Sequence, residues 1–523
     1  MLPLRRLVVA SVLLGSLHLA PAAEKTKPKL VVAIIIDQFR YDYLTRFRTD
    51  YHSGIDQLLT HGADFTSAYY GQVPTVTAVG HSIFLSGAMP AVSGIIGNSW
   101  YDRDSHQEVT SVCDWTRQIV GAPQPEKKSA CTDDDPASPA RLLVTTLGDE
   151  LRLAHPNAKV IGISRKARAA ILPSGHAANG AFWFDDGTGN FVTSTFYMNQ
   201  LPKWVEAFNA RKLPEKYVDR PWPGFPNWKF RAAPGSKSPF SKLDASPWSN
   251  ELIEALAEQA ITGEQLGQRD ETDLLTVSFS ANDAIGHAVG PYAPEVKDMA
   301  IRTDQLIGKL FALIDQKIGM QNVIVVLSAD HGVAPTPQQN GADKIPAGYL
   351  PSGIDETVEN ALNERFGKQQ WLVPGGEGAL YFDDNALQAS KAHPEEVFAV
   401  AAHALLANPQ LHIVRVYSRT QLEDGVAGDF IAQAEMNGFF PRRSPDLNLV
   451  FDPGYMPGKH GTSHFSPYNY DRHVPAVFMG PGIKTGRYPV AIRPNDIAPT
   501  LADLLDLQAP SGSSGRVLSE MYE

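Results

Sequence analysis

The stretch LVVAIIID, residues 30–37, decides the fold class of this chain. Seven apolar residues, most of them β-branched, run without interruption and end at the acidic Asp37. A strand that is apolar on both faces is typical of a parallel sheet covered by helices on both sides. The stretch therefore predicts a buried central strand with a carboxylate at its carboxyl end.

The same pattern recurs along the chain, at residues 159–163, 274–279, 323–327 and 474–479. Helical patterns lie between these runs, for example at residues 250–260 and 299–315. The alternation predicts an α/β fold with a mostly parallel central sheet and helices on both faces. Because ligands of such sheets bind beyond the carboxyl ends of the strands, polar residues found there are candidates for a site.

Two long segments interrupt the alternation and are predicted to be insertions. Residues 177–249 are rich in Trp, Phe, Pro and Gly, and residues 335–453 are long and mixed. Insertions at strand ends often form lids over a site, and plain surface embellishment is the equal alternative. The rest of residues 24–523 is predicted to form one domain, whose final helix spans residues 496–505.

Residues 1–23 are predicted to be a secretory signal peptide. Arg5 and Arg6 are basic, residues 7–20 are apolar, and Ala22 and Ala23 offer a cleavage site. The apolar run is too short for a comfortable membrane span. We expect a soluble, periplasmic or secreted protein without a stable membrane anchor; an uncleaved anchor is the alternative.

The two cysteines, Cys113 and Cys131, are predicted to form a disulfide. Exported proteins meet an oxidising environment, which favours the bond over the alternative of two free buried thiols. The chain has neither a CxxC motif nor paired cysteine spacing, so a thiolate zinc site is excluded.

The composition excludes several classes of protein. With 43% hydrophobic and 20% charged residues, the chain is neither disordered nor a coiled coil. Its 46 basic and 57 acidic residues give a net charge of -11, so we expect no nucleic-acid partner. A small anionic substrate is compatible, because a metal site sets its own local potential. No oligomeric state follows from the composition.

Acidic and histidine side chains follow several predicted strands. Asp283 and His287 are four residues apart, so on a helical turn they share one face and suit one zinc ion. Asp330 and His331 directly follow a strand, where a turning chain can direct them to different sides of a metal pair.

Two further residues join this set: Asp37 ends the first strand, and His464 closes the sequence GTSH. Alone, an Asp after a strand is more often a helix cap, and a lone His is usually structural. Several such residues at one sheet edge are harder to explain in that way. Asp and His ligands without Cys suit zinc best, and manganese or iron is the next choice.

A candidate nucleophile lies in the sequence PTVTAVGH, residues 74–81, before an apolar stretch. Thr75 and Thr77 both qualify, and a helix-capping threonine is the plain alternative. A hydroxyl beside a metal ion is more easily deprotonated, and a helix N-terminus favours an anion.

Candidate phosphate-binding groups are Lys166 and Arg168, two residues apart after a strand, and Asn98. An extended backbone would direct both cations to one side. A guanidinium fork, an ammonium and an amide NH2 suit phosphoryl oxygens, although Lys-x-Arg alone is usually a surface pattern.

Taken together, these motifs resemble the alkaline phosphatase superfamily, in its threonine-nucleophile branch of exported PafA/PhoK-type phosphomonoesterases. The matching segments lie in collinear order at residues 37, 75–81, 94–98, 164–168, 278–287, 328–332, 461–471 and 497–501. The resemblance covers nearly the whole mature chain and implies an alkaline-phosphatase-like catalytic domain.

The resemblance also implies two zinc ions as cofactors and a role for each candidate residue. One zinc would be held by Asp283, His287 and His464. The other would be held by Asp37, Asp330 and His331, with Thr77 on it as the nucleophile. Asn98, Lys166 and Arg168 would bind the phosphoryl oxygens. Family spacing favours Thr77 over Thr75, and the GTSH context favours His464 over His460 and His473.

The implied site would carry a formal charge of about +2, because two zinc ions, Lys166 and Arg168 outweigh three aspartates and a Thr77 alkoxide. A phosphate monoester dianion would neutralise this charge, whereas a diester monoanion would not. The related nucleotide pyrophosphatase/phosphodiesterases lack the Lys-x-Arg pair. The resemblance thus implies hydrolysis of small phosphate monoesters at alkaline pH through a phosphothreonine. A phosphodiesterase on the same scaffold and a non-catalytic exported metal- or phosphate-binding protein are the alternatives.

Overall fold

A computed structural model describes residues 27–127, 132, 135–231, 235–376 and 378–523 of the protein. The predicted signal peptide lies outside these residues and stays a prediction. Cys113 is buried, but Cys131 also lies outside the described residues, so the disulfide between them stays a prediction as well.

A sheet of eleven described strands forms the centre of the fold. In chain order the strands are β1 (Leu30–Ile36), β2 (Ala63–Tyr69), β3 (Ile119–Val120), β4 (Val160–Ser164), β5 (Gly180–Asp185), β6 (Asn190–Ser194), β7 (Asp273–Phe279), β8 (Val323–Ser328), β9 (His473–Val474), β10 (Ala476–Met479) and β11 (Gly486–Ile492). Their spatial order is β9-β2-β10-β8-β1-β7-β4-β5-β6-β3, with β11 on β2.

The five neighbouring strands β8, β1, β7, β4 and β5 are mutually parallel. Every residue of β1 is buried, and its side chains alternate between two hydrophobic cores on opposite faces of the sheet. The α/β class predicted from the continuous apolar run is therefore confirmed.

The sheet is mixed at its edges. The apolar run at residues 474–479 was predicted as one strand but is divided: Val474 ends β9, and Ala476–Met479 forms β10. β10 pairs antiparallel with β8 and places Phe478 opposite Val326. Pro475 separates β9 from β10, since proline has no N–H for the ladder. Because β10 lies antiparallel between β8 and β2, the strand β2 runs in the same direction as β8.

Helices cover both faces of the sheet. The longer helices of the main domain are Gly54–His61, Thr77–Ser86, Leu147–Ala154, Pro247–Gly263, Ala281–Val289, Pro294–Lys317 and Ile497–Leu504. Two of them begin with a proline, which fits the first turn because that turn needs no N–H donor. Among the described residues, no helix is both long and apolar enough to cross a membrane.

The described residues of the predicted insertion 335–453 contain a separate sheet and hydrophobic core, and we call this part of the chain the inserted lobe. Its sheet contains Leu372–Val373, Ala379–Phe382, Leu447–Phe451 and Ile413–Ser418, in that spatial order. Its longer helices are Ile354–Phe366, Pro394–Leu406 and Phe430–Gly438.

The segment 177–249 is divided between the sheet and its surroundings. Its first part supplies β5 and β6 to the central sheet. The later part contains the helices Lys203–Asn209 and Leu213–Tyr217, and its Trp222 joins the main core. The weak periodicity of the sequence concealed the two strands.

Candidate metal centre and nucleophile

Candidate residues meet beyond the carboxyl ends of the parallel strands. Asp37 follows β1, Asp283 lies in the helix after β7, and Asp330 follows β8. Lys166 follows β4 and reaches two of these carboxylates, with its Nζ 2.6 Å from Asp37 Oδ2 and 2.7 Å from Asp283 Oδ2. Residues that are far apart in the chain therefore share one buried cluster.

The first group of potential metal ligands is Asp283, His287 and His464. His287 Nε2 lies 3.1 Å from Asp283 Oδ1, and His464 Nε2 lies 3.6 Å from the same oxygen. The Nδ1 of His287 lies 2.7 Å from the Thr462 carbonyl, and the Nδ1 of His464 lies 2.8 Å from the Thr75 carbonyl. A carbonyl can only accept, so each Nδ1 is the donor and each Nε2 is left as a ligand atom.

The second group is Asp37, Asp283 and His331. His331 Nε2 lies 3.4 Å from Asp37 Oδ1 and 3.5 Å from Asp330 Oδ2. The His331 and His464 rings stack with their centroids 3.5 Å apart, so the two groups are immediate neighbours. Asp283 belongs to both groups, although the family resemblance implies a single zinc for it.

The donor atoms fit divalent metal ions. Among the predicted metal ligands in the described part of the chain, three buried atoms have no hydrogen-bond partner: Asp37 Oδ1, Asp330 Oδ2 and His331 Nε2. Burying unsatisfied polar atoms is costly, and a cation would satisfy all three together. Oxygen and imidazole ligands without thiolate are a set that suits zinc.

Burial and neighbouring charges shift the pKa values of the three candidate carboxylate ligands in different directions. Burial, and then repulsion from Asp283 and Asp330, raises the pKa of Asp37 well above its usual value. Burial is also the main cause that raises the pKa of Asp330 to about 7. The pKa of Asp283 lies well below its usual value, because Lys166 and His287 overcome the effect of burial. A bound cation would stabilise all three carboxylates in their ionised form.

Thr77 is buried and opens the helix Thr77–Ser86, which is the next helix in the chain after β2. Gly80 brings this helix against β8, because a Cβ there would lie only 2.1 Å from the carbonyl oxygen of Asp330. His81 also connects this helix to Asp330: its Nδ1 lies 2.9 Å from the Thr77 carbonyl and 3.2 Å from Asp330 Oδ2.

The two candidate threonines have different surroundings. The Thr75 hydroxyl donates a hydrogen bond of 3.1 Å to the carbonyl of Ser466. No residue of the described chain holds the Thr77 hydroxyl by a hydrogen bond, and the helix N-terminus beside it favours an anion. The identity of the nucleophile stays a prediction.

The candidate phosphate-binding residues lie on two parts of the chain: Asn98 contacts the start of the Thr77–Ser86 helix, and Lys166 and Arg168 follow β4. The Asn98 Oδ1 accepts a hydrogen bond of 2.9 Å from the Ala78 N–H, which leaves its NH2 group as the donor. The extended backbone predicted for the Lys-x-Arg pair stops at Lys166, because a helix begins at Ala167. The buried Arg168 therefore lies in the first turn of that helix.

Sequence reasoning missed Gln38 as a site residue. Its Nε2 donates a hydrogen bond of 2.7 Å to Asp283 Oδ1, and its backbone N–H donates one of 3.1 Å to Asp330 Oδ1. Gly286 leaves room for it, since a Cβ there would lie 1.9 Å from Gln38 Oε1. Its position directly after Asp37 was the one available indication.

Asp471 is a second missed residue, and it holds the loop that carries His464. Its Oδ2 accepts hydrogen bonds from the backbone N–H groups of Phe465, at 3.1 Å, and Ser466, at 2.9 Å. The Ser466 hydroxyl donates a third, at 2.6 Å. Nothing in the local sequence indicates this function of an aspartate.

Comparison with known proteins gives a consistent result. Residues 31–472 match the family model described as type I phosphodiesterase / nucleotide pyrophosphatase. Alkaline phosphatase PafA of Elizabethkingia meningoseptica is 35% identical over 95% of this chain and 96% of its own length. Alkaline phosphatase PhoV of Synechococcus elongatus is 35% identical over 95% of this chain and 93% of its own. The crystal structure of PafA superimposes with a TM-score of 0.86 at 34% identity, covering 95% of this chain and 99% of that one.

Proposed function

This chain belongs to the type I phosphodiesterase / nucleotide pyrophosphatase family, and from that premise we propose that it is an alkaline phosphatase, a two-zinc phosphate monoester hydrolase with Thr77 as nucleophile. The family and the named alkaline phosphatases among its relatives make it a phosphoesterase. The preference for monoesters, the two zinc ions and the phosphothreonine are the parts that we propose.

The position of Lys166 carries the preference for monoesters. Its ammonium group contacts two carboxylates of the candidate metal cluster, those of Asp37 and Asp283. A phosphoryl group bound there would place its free oxygens against this cation. The second ester group of a diester would have to occupy the same space without offering a charge.

The metal ions would be held by the two clusters of carboxylate and imidazole groups. One set is Asp283, His287 and His464, and the other is Asp37, Asp330, His331 and the Thr77 hydroxyl. Two zinc ions bound there would polarise the phosphoryl group and lower the pKa of the threonine hydroxyl.

The side chains of the protein have the following functions in the proposed reaction. The oxygen of Thr77 attacks phosphorus, a Thr–O–P bond forms, and the bond to the leaving alcohol breaks. Water then cleaves the phosphothreonine and releases phosphate. Asn98, Lys166 and Arg168 bind the phosphoryl oxygens, which orients the group and stabilises its charge. His81 fixes the start of the nucleophile's helix through the Thr77 carbonyl.

A paired-substrate assay tests the proposal. An aryl phosphate and a bis-aryl phosphate diester are compared at alkaline pH with the zinc-loaded protein. We expect the monoester to have the higher kcat/KM. Faster hydrolysis of the diester would instead support the second candidate, a phosphodiesterase, which the description of the family favours.

We also propose that the protein is exported. Small phosphate monoesters would be hydrolysed in the periplasm or outside the cell, after removal of the signal peptide predicted for residues 1–23. This part rests on the N-terminal sequence pattern alone. Amino-terminal sequencing of the protein from the secreting cell, which we expect to begin near residue 23 or 24, tests it.

A further inference from the structure

A cavity of about 330 Å³ lies between the main domain and the inserted lobe. On the main-domain side its wall includes Val76, Asn98 and Trp100. On the lobe side it includes Tyr381 and Glu435. This volume is in the range of small-molecule pockets, whose walls are typically apolar and aromatic with a few polar groups.

The cavity adjoins the proposed catalytic site at three points. Val76 directly precedes Thr77, and Asn98 is one of the groups proposed to bind the phosphoryl oxygens. Phe465, which also lines the cavity, directly follows His464. The cavity wall is therefore formed in part by Asn98 and by the chain neighbours of Thr77 and His464.

Two polar groups of the wall are unsatisfied. Glu435, in the helix Phe430–Gly438, is 5% exposed, and its carboxyl group forms no hydrogen bond or ion pair within the described residues. The buried Nδ2 of Asn448 likewise has no acceptor there. Other buried carboxylates, such as that of Asp304, accept several backbone hydrogen bonds. A ligand bound in the cavity would supply hydrogen-bond partners for both groups.

The charge of Glu435 is compatible with an anionic substrate nearby. Burial raises the pKa of its carboxyl group to about 8, so the group is neutral at pH 7, the pH of the assays below, and ionises at more alkaline pH. A neutral carboxyl can donate one hydrogen bond and accept others, and it does not repel a phosphate. The Asn448 amide offers a donor on the same cavity wall.

We infer that this cavity binds the organic leaving group of the phosphate monoester and selects a flat aromatic group that carries a hydrogen-bonding substituent. Trp100, Tyr381 and Phe465 provide the walls for the ring, and Glu435 and Asn448 recognise the substituent. The inference rests on the proposed function, because it assigns the substrate class of the same site. A small alkyl group would leave most of the cavity unfilled and both polar groups unsatisfied.

Three probes separate the leaving group from the phosphate. They are 4-aminophenyl phosphate, glycerol 2-phosphate, and inorganic phosphate as a competitive inhibitor without a leaving group. Two variants alter the cavity: Glu435→Leu removes the carboxyl, and Ala379→Phe fills space beside Tyr381, on the same face of its strand. Glu364→Gln, an exposed position of the same lobe, is the matched control.

We expect Glu435→Leu to lower kcat/KM for 4-aminophenyl phosphate about three- to tenfold, the range of one hydrogen bond, mainly through KM. Ala379→Phe should lower it by about tenfold or more, because it blocks the space for the ring. Turnover of glycerol 2-phosphate and inhibition by phosphate should stay within about twofold in both variants. The control should match the wild type with all three probes.

The outcomes distinguish the two proposals. If the variants weaken all three probes equally, or none of them, the cavity does not select the leaving group and the inference is overturned, while the phosphatase activity stands. If the wild type hydrolyses neither monoester, the proposed function itself fails. Thermal unfolding of each variant shows that a loss of selectivity occurs in folded protein.

Discussion

Lys166 donates a hydrogen bond of 2.6 Å from Nζ to Asp37 Oδ2, across 129 residues of chain. The same ammonium lies 2.7 Å from Asp283 Oδ2. A proposed phosphate-binding group thus contacts carboxylates of both candidate ligand groups. The phosphate site and the metal site are consequently one structure, and a change to Lys166 affects both.

Lys166→Ala should lower kcat/KM for an aryl phosphate by about 10²–10³, the usual effect of losing one donor to a developing oxyanion. The loss for a bis-aryl diester should be smaller, because the diester has fewer free oxygens for the ammonium to bind. Steady-state kinetics with both substrates give the ratio, and the exposed Lys237→Ala is the control. Equal losses for the two esters would contradict the assignment.

Substitutions of Thr77 and Thr75 should have clearly different effects on kcat. Thr77→Ala should lower kcat by at least about 10³, as expected on removing a nucleophile, whereas Thr77→Ser should retain much more activity. Thr75→Val should leave kcat within about tenfold and lower stability by about 1 kcal/mol, through the lost hydrogen bond to Ser466. A larger loss of kcat in Thr75→Val than in Thr77→Ala would reverse the assignment.

Gln38→Met should weaken metal binding. The side chain keeps its length but no longer donates to Asp283, and loss of such a ligand-orienting hydrogen bond typically costs about 10- to 100-fold in affinity. Competition with a zinc chelator measures the change. Gln57→Met, on a surface helix away from the cluster, is the control; equal affinity in the two variants would refute the function given to Gln38.

Glu435 should make the protein less stable as the pH rises. Its folded-state pKa of about 8 lies above the ordinary 4.5, because burial disfavours the ionised form. Its stabilising contribution is therefore fully present below about pH 4.5 and is lost as the pH rises to about 8. Glu435→Gln lacks this titration, so its stability relative to the wild type should increase by up to about 5 kcal/mol over that interval. Urea unfolding at pH 5, 7 and 9 tests this, and a constant difference would contradict it.

Much of the fold follows from local sequence patterns. The strand β1 has the bounds of its apolar run, and β4, β7 and β8 differ from their predicted ends by one residue. The direction of β10 could not be predicted, because an apolar run carries no information about the orientation of its neighbour. β5 and β6 were missed, because the aromatic and glycine-rich sequence around them lacks a clear period.

Some residues of the candidate site could likewise be predicted from the sequence, and others could not. Asp37, Asp283 and Asp330 could be placed together because strand ends of a parallel sheet share one edge. The surroundings of His81 could not be predicted, since its Nε2 contacts Ser278 Oγ at 2.8 Å across 197 residues. Glu435 was also missed, because only the tertiary fold brings the inserted lobe beside the nucleophile.

Metal content is the most direct test of the central proposal, that the two clusters hold a pair of zinc ions facing Thr77. Elemental analysis of the purified protein should give two zinc ions per chain. His464→Ala and His331→Ala should each lower this number, since each removes a ligand from a different cluster. A wild type without stoichiometric metal, or a zinc content unchanged in both variants, would contradict the proposal.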